Sequence, residues 1–250
     1  MTTGELRLVP LRGVPLVAPG DDLAALLAEA AERAGLVLDG GVLVVCQKVV
    51  SKSEGRLLPL AQVSPSAEAV QIAQEHGKDP RHIEVILRET RRVVRRGHGV
   101  LICETRHGFV CANAGVDLSN APGPEIAVLL PINPDASAER LRAALTARGA
   151  GRLAVIVSDT FGRPWREGLV DVAIGSSGIA PIHDMTGRPD LAGRLLQVTA
   201  TATVDQLAAA AGLLMRKDAG VPAVWVEGVA PEGDGRVADL LRRSDTDLFR

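Results

Sequence analysis

Apolar and polar positions divide the chain into segments of two periods. A short apolar run at residues 6–9, followed by Pro10, Gly13 and Pro15, predicts a strand and then a loop. Leu23, Leu26, Leu27 and Ala30 recur at helical spacing behind Asp21 and Asp22, either of which can cap the helix, and Gly35 ends it. Val42–Cys46 is continuously apolar, as a buried strand is. Residues 66–76 and 80–94 predict two helices divided by Gly77, Lys78 and Asp79. Residues 99–103 and 109–112 read as strands joined by a polar turn at 105–108. Pro122, Pro124, Pro131 and Pro134 exclude regular helix and mark a linker or a shaped loop. Beyond them Ser137 is expected to cap a helix running to about Arg148, and Leu153-Ala154-Val155-Ile156-Val157 predicts a second buried strand. An Ala-rich helix over 204–215, a last strand over 223–227 and a loosely held polar tail over 242–247 complete the pattern. Strands and helices mix without the βαβ rhythm of a doubly wound sheet. The expected class is therefore α+β, one domain over 1–250 in two lobes meeting near 120–136.

Composition narrows the partners. A net charge of -2 gives no bulk attraction to nucleic acid or to an anionic membrane. An aromatic content of 2%, with no Tyr, removes the stacking platforms of a single-strand binder. Cys46, Cys103 and Cys111 are odd in number and lack CxxC spacing, so they read as buried small hydrophobes rather than as a disulfide framework or zinc site. Met1-Thr2-Thr3-Gly4-Glu5 lacks the basic and apolar regions of a secretory leader, and no apolar run is long enough to span a membrane; the expected location is cytoplasmic.

The chemistry concentrates at strand ends. After the strand at 153–157 comes Ser158-Asp159-Thr160-Phe161-Gly162-Arg163-Pro164-Trp165-Arg166. A carboxylate and a hydroxyl are hard oxygen donors suited to Mg²⁺ or Mn²⁺, and two guanidinium groups suit phosphate or carboxylate. The same residues also suit a strand-to-loop turn with solvated arginines. Asn113-Ala114-Gly115-Val116-Asp117, with Ser119 and Asn120 behind, is either a simple turn or the source of a second metal-binding carboxylate, Asp117. Gln47-Lys48-Val49-Val50-Ser51-Lys52-Ser53-Glu54-Gly55 offers two lysines just past a strand, as a solvated loop or as point charges for a triphosphate. Arg91, Arg92, Arg95 and Arg96 at helical spacing are expected to form a solvated helix face. His183 and Asp184, and the turn at 184–190, are weaker candidates. No P-loop, dinucleotide-binding glycine pattern, nucleophile elbow or zincin helix occurs in the sequence.

Taken in order, residues 44–55, 113–120, 158–166, Ala173-Ile174-Gly175 and 187–194 resemble the motifs of the coenzyme F-420-0:L-glutamate ligase (gamma-glutamyl ligase) family. The resemblance runs from Leu16 to about Gly228. It implies amide formation between a carboxylate of a deazaflavin precursor and the amine of L-glutamate, driven by GTP, with further gamma-linked glutamates added later. It also implies a two-lobed α+β fold of its own type, an intertwined homodimer, two divalent ions (Mg²⁺ or Mn²⁺) and a monovalent cation such as K⁺. Some members of the family carry a second, nitroreductase-like domain; none is expected here. By position, the resemblance makes Asp117 and Asp159 ligands of one metal and gives Thr160 to a second. Val14, Pro15, Leu16, Val17, Gln47, Lys48, Lys52 and Asn120 match GTP-holding positions. Met215, Arg216, Lys217, Asp218, Ala219, Gly220 and Val221 match another nucleotide loop. There the chain departs from the family pattern, which is longer, richer in Gly and carries a Glu; Asp218 is the candidate to replace that acid at the metal. Arg163 and Arg166 are expected to hold a substrate carboxylate or phosphate during catalysis. The expected route phosphorylates the precursor carboxylate with GTP and lets the glutamate amine attack the acyl phosphate, a reaction that needs positioning and charge neutralisation more than a protein nucleophile. Two other classes fit the same residues: a metal-dependent phosphotransferase or hydrolase acting on another acceptor, and a non-catalytic GTP-binding regulatory module.

Overall fold

The continuously apolar runs become the middle of one sheet. In the computed structural model, which describes residues 2–243 and 245–247, β1 (Thr2–Leu11), β2 (Val42–Cys46), β8 (Ala154–Arg163), β9 (Arg166–Ser177) and β12 (Ala223–Val229) pair in the order β1-β12-β2-β8-β9. The tail position Ser244 and the two ends of the expected 1–250 domain lie outside the described residues. Only β2 and β8 run parallel; the other pairs are antiparallel. Burial of Val42, Leu43, Val44, Val45, Val155, Ile156 and Val157 on both sheet faces explains why neither strand alternates. Three helices pack on this sheet: α1 (Leu23–Arg33), α5 (Pro134–Ala147) and α6 (Thr203–Gly212). Gly175 on β9 is required by the α5 contact, because a Cβ there would stand 2.3 Å from the backbone carbonyl of Pro134.

The remaining elements are α2 (Gln47–Ser53), β3 (Leu57–Pro59), α3 (Ala67–His76), α4 (Pro80–Glu89), β4 (Thr90–Gly97), β5 (Val100–Thr105), β6 (Val110–Ala112), β7 (Ile126–Val128), β10 (Ile182–Asp184) and β11 (Ala200–Ala202). β4, β5 and β6 form a separate antiparallel sheet, β3 pairs with β7, and β10 with β11. A second buried cluster, including Ile72, Ile83, Ile86 and Leu101, sits among α3, α4 and β5, apart from the cluster on the five-stranded sheet. The overall class is a mixed α/β fold. Cys103 and Cys111 face each other across β5 and β6 as free thiols, and burial raises both away from the thiolate.

Four local expectations are corrected. Residues 90–94 are strand rather than helix: α4 stops where Thr90 bonds back to the Ile86 carbonyl at 2.6 Å, and buried Glu104 on β5 draws Arg91 and Arg92 into the neighbouring strand. The basic stripe therefore lies on β4. Helix α5 is capped by Asn133, whose side chain accepts from Ala136 N–H at 3.0 Å with Pro134 in the first turn; Ser137 lies inside the helix. The segment after β2 is the helix α2, with Gln47, Val50, Ser51 and Lys52 buried, and not a solvated loop. Finally, β8 does not end at Val157. Pairing with β9 carries it through Asp159 and Thr160 to Arg163, so the polar motif is one arm of a long hairpin turning at Pro164 and Trp165.

Candidate active site

A cavity of about 570 Å³ opens beside the end of β2, where five segments converge. Strand β2 contributes Cys46, and α2, which begins at the next residue, contributes Gln47, Lys48, Val49 and Lys52. Lys48 and Lys52 are one helical turn apart and so share a face. Strand β8 supplies Ser158, Asp159 and Thr160, and β9 supplies Asp171. The turn after β6 adds Asn113, Gly115, Val116 and Asp117, with Asn120 beyond. Val14, Pro15, Leu16 and Val17 close one side, and Met215, Arg216, Lys217, Gly220 and Val221 another.

Local backbone geometry aims the turn after β6. Asn113 and Ala114 have φ of 52 and 53, and Gly115 follows at 71, a left-handed run of three. Such a conformation costs of order 1 kcal/mol for a residue with a Cβ. It is held by buried Ala114 and by the Asn113 side chain accepting from Leu101 N–H at 3.3 Å. The run turns the chain so that Asp117 reaches the cavity.

The site's charges are strongly coupled. Lys48 Nζ lies 2.7 Å from Asp117 Oδ2 and donates to Ser119 Oγ at 2.7 Å, while Ser119 donates its N–H and hydroxyl to Asp117 at 2.7 and 2.8 Å. Burial pushes the Asp117 carboxyl up, but Lys48 and the Ser119 bonds outweigh it and hold it below the ordinary range. Among the described residues Asp159 has no such side-chain partner. Burial, helped by the nearby Asp117 and Asp171 carboxylates, pushes it up to about 7 against the pull of the Thr160 N–H and Lys48. Burial raises Asp171 as well, opposed by a hydrogen bond from Thr160 Oγ1 at 2.7 Å. Burial and the charge of Lys48 lower Lys52. A pair of crowded lysines facing crowded carboxylates is a surface prepared for an anion and a cation together. Two buried polar atoms at the cavity, Gln47 Oε1 and Ser158 Oγ, have no partner among the described residues, which is costly unless a ligand supplies one.

Thirteen of the fifteen expected nucleotide positions line this cavity, as do Asp117, Asp159 and Thr160. Four expected residues are not brought to it. Ala219 packs against the core of the five-stranded sheet, and the exposed Asp218 carboxylate pairs with Arg216 at 2.8 Å on the surface. Arg163 and Arg166 lie at the exposed tip of the β8–β9 hairpin, where Arg163 donates to the Glu167 carbonyl at 3.1 Å. His183 and Asp184 lie on β10, outside the cavity lining. Asp171 was missed by reasoning from the sequence. Its signal is the hairpin itself: once β8 is continued past Val157, Thr160 and Asp171 become cross-strand partners. Among the described residues, no three His, Cys, Asp or Glu side chains form an ion-binding group.

The family model described as F420-0:Gamma-glutamyl ligase matches residues 13–228, a span that contains every segment lining the cavity. The chain belongs to this family. It is 47% identical to the Coenzyme F420:L-glutamate ligase of Methanothermobacter thermautotrophicus over 98% of this chain and 99% of that protein. Identity to the protein of the same name from Methanopyrus kandleri is 46%, over 99% of this chain and all of the relative. For the one from Methanocaldococcus jannaschii it is 43%, over 85% of each chain. As a gamma-glutamyl ligase family member, the chain matches the first two of these relatives along almost its whole length, and the segments lining the cavity all lie within the matched residues 13–228.

Proposed function

We propose that this cavity joins L-glutamate, through its amine, to the terminal carboxylate of F420-0 at the expense of GTP, and extends the product with gamma-linked glutamate. The chain is an amide-forming, nucleotide-dependent ligase of coenzyme F420 biosynthesis. The observation that carries the assignment of the site is the meeting, in one cavity, of Lys48 and Lys52 with the oxygen donors Asp117, Asp159, Thr160 and Asp171.

A carboxylate does not react with an amine until one of its oxygens becomes a leaving group. The carboxylate oxygen attacks the γ-phosphorus of GTP, the bond to the β-phosphate oxygen breaks, and GDP leaves. The glutamate nitrogen then attacks the acyl carbon; phosphate departs with the C–O bond electrons and the amine gives up a proton. Lys48 and Lys52 neutralise the triphosphate, and Gln47 Oε1, whose own amide N–H groups are spent on Ser51 Oγ at 3.1 Å and the Leu129 carbonyl at 3.4 Å, remains free to accept from the ligand. The loops at 14–17 and 215–217, with Gly220, Val221 and Asn120, wall in the nucleotide.

Mg²⁺ or Mn²⁺ fits the donor set. The candidate ligands Asp117, Asp159 and Thr160 offer oxygen only, and the elevated Asp159 is a carboxylate that a nearby cation would return to its charged form. Such ions are commonly held by one or two carboxylates while substrate phosphates complete the shell. When bound, the ion offsets charge on the phosphate oxygens. No role at this cavity is proposed for Arg163, Arg166 or Asp218. We further propose one ligase domain in two lobes meeting near 120–136, supported by the two buried clusters, acting as a homodimer in the cytoplasm. No helix among the described residues is long and apolar enough to cross a membrane.

The test is GDP release and product mass with GTP, Mg²⁺, L-glutamate and F420-0. A glutamyl-extended product requiring all four supports the ligase. Glutamate-independent GDP release without that product identifies a phosphotransferase or hydrolase instead, and nucleotide binding without turnover a regulatory module.

A further inference from the structure

Asp171 stands directly across the hairpin from Thr160 and accepts the Thr160 hydroxyl hydrogen at Oδ1, 2.7 Å away. A hydroxyl has one hydrogen to give and two lone pairs to offer. With that hydrogen committed to a carboxylate, Thr160 Oγ1 presents only lone pairs to whatever else it meets. Its β-branched side chain, held on a paired strand, has little freedom to turn away. Asp171 is itself confined: the end of α6 passes so close that a Cβ on Gly212 would lie 2.8 Å from both its Cγ and its Oδ2. The other cavity carboxylate with fixed partners, Asp117, is occupied by Lys48 and Ser119 and makes no contact of this kind with Thr160.

Taking the ligase reading above as its basis, we infer that Asp171 is a positioning residue of the active site, which by accepting the Thr160 hydrogen turns the lone pairs of Thr160 toward the divalent cation of the metal–nucleotide substrate. The pair is poorly suited to a purely structural task. Thr160 is exposed and Asp171 only half-buried, so water can replace the bond with little loss to the fold. Groups that orient a metal's ligands, by contrast, change metal affinity about 10–100-fold when removed.

The experiment measures Mn²⁺ affinity by electron paramagnetic resonance in the presence of GDP for the full chain, Asp171→Asn, Thr160→Val and the double variant, with circular dichroism to establish folding. Each single variant is expected to weaken Mn²⁺ binding by about tenfold or more, and the double variant to be no weaker than Thr160→Val alone, since both remove the same arrangement. A folded Asp171→Asn with unchanged Mn²⁺ affinity, or losses that multiply in the double variant, overturns the inference. Gly212→Ala crowds Asp171 without removing an oxygen; it replaces Asp171→Asn in the same cycle if that variant does not fold, with the same expected loss. The unaltered protein separates the two levels. If it binds Mn²⁺ and makes the glutamyl product while Asp171→Asn binds Mn²⁺ equally well, only the role of Asp171 fails; if it does neither, the ligase site fails and this inference with it.

Discussion

Lys48 reaches across from α2 to place its ammonium 2.7 Å from the carboxylate of Asp117, which the left-handed turn after β6 brings to the same cavity. The contact ties α2 to the turn after β6. On the reading proposed above, Asp117 exchanges this lysine for a cation when metal and nucleotide bind.

Asp117→Asn should lose that exchange. We expect turnover to fall on the order of 10²–10³-fold, as when a preorganised charge facing a reacting phosphate is removed. Thermal stability should fall modestly, because Asn can keep only one of the two Ser119 bonds and leaves the largely buried Lys48 ammonium without its carboxylate. Steady-state kinetics beside a melting curve checks both halves; turnover within threefold of the parent would remove Asp117 from the metal site.

Asp159 predicts a pH dependence with a definite sign. Its folded-state value of about 7 exceeds the ordinary carboxylate value of 3.8, so the folded protein holds the proton more tightly than the unfolded chain does. The contribution of Asp159 to the stability of the metal-free protein should therefore be greatest below the ordinary carboxylate range, decline as pH rises to about 7 and then level off, on top of the opposite trend from depressed carboxylates such as Asp117. Asp159→Asn should lack this decline, keep its fold and lose turnover, and Mg²⁺ with GDP should abolish the decline in the parent. Melting temperature against pH for the two proteins, with and without ligand, decides it.

Lys52 predicts the opposite limb. Burial and the neighbouring Lys48 disfavour its charged form, so it loses its proton at lower pH than an ordinary lysine. GTP affinity should weaken as pH rises through the alkaline range, and Lys52→Arg, which stays charged, should flatten the curve. Lys52→Ala should raise KM for GTP about tenfold at neutral pH, the scale of one charge-assisted bond. Identical pH profiles for the parent and Lys52→Arg would show that another group sets the dependence.

Gly175→Ala tests the frame instead of the chemistry. Its Cβ would meet the Pro134 carbonyl at 2.3 Å, forcing β9 and α5 apart. Overpacking of this kind costs about 1–3 kcal/mol, read as a lower urea midpoint at unchanged slope.

The sequence made the buried strands and most helix ends legible because each has a local cause. Val42–Cys46 is apolar throughout, Asp22 and Ser66 accept from the third residue beyond, and Gly77 takes the left-handed conformation that closes α3. The errors arose where pairing overrode local signals. Arg91 and Arg92 have helical spacing, yet buried Glu104 is available only across a strand pair. The polar letters from Ser158 to Arg163 look like a strand's end, yet β9 continues the ladder beside them. Most of the candidate site was legible through ordered motifs, but Asp171 was not, since its significance depends on lying opposite Thr160.

The β2–β8 pairing sets Cys46 beside Ser158, although residues 47–157 intervene. That one parallel contact aligns the start of α2 with the acidic stretch of β8. The second buried cluster, by contrast, is assembled entirely from residues 60–129. A chain in which that cluster alone has condensed would hold Asp117 but have neither strand of the pair in place to carry Lys48 or Asp159 to it. Bringing these two strands together across a long loop, at an entropic cost, is therefore needed to complete the proposed nucleotide site.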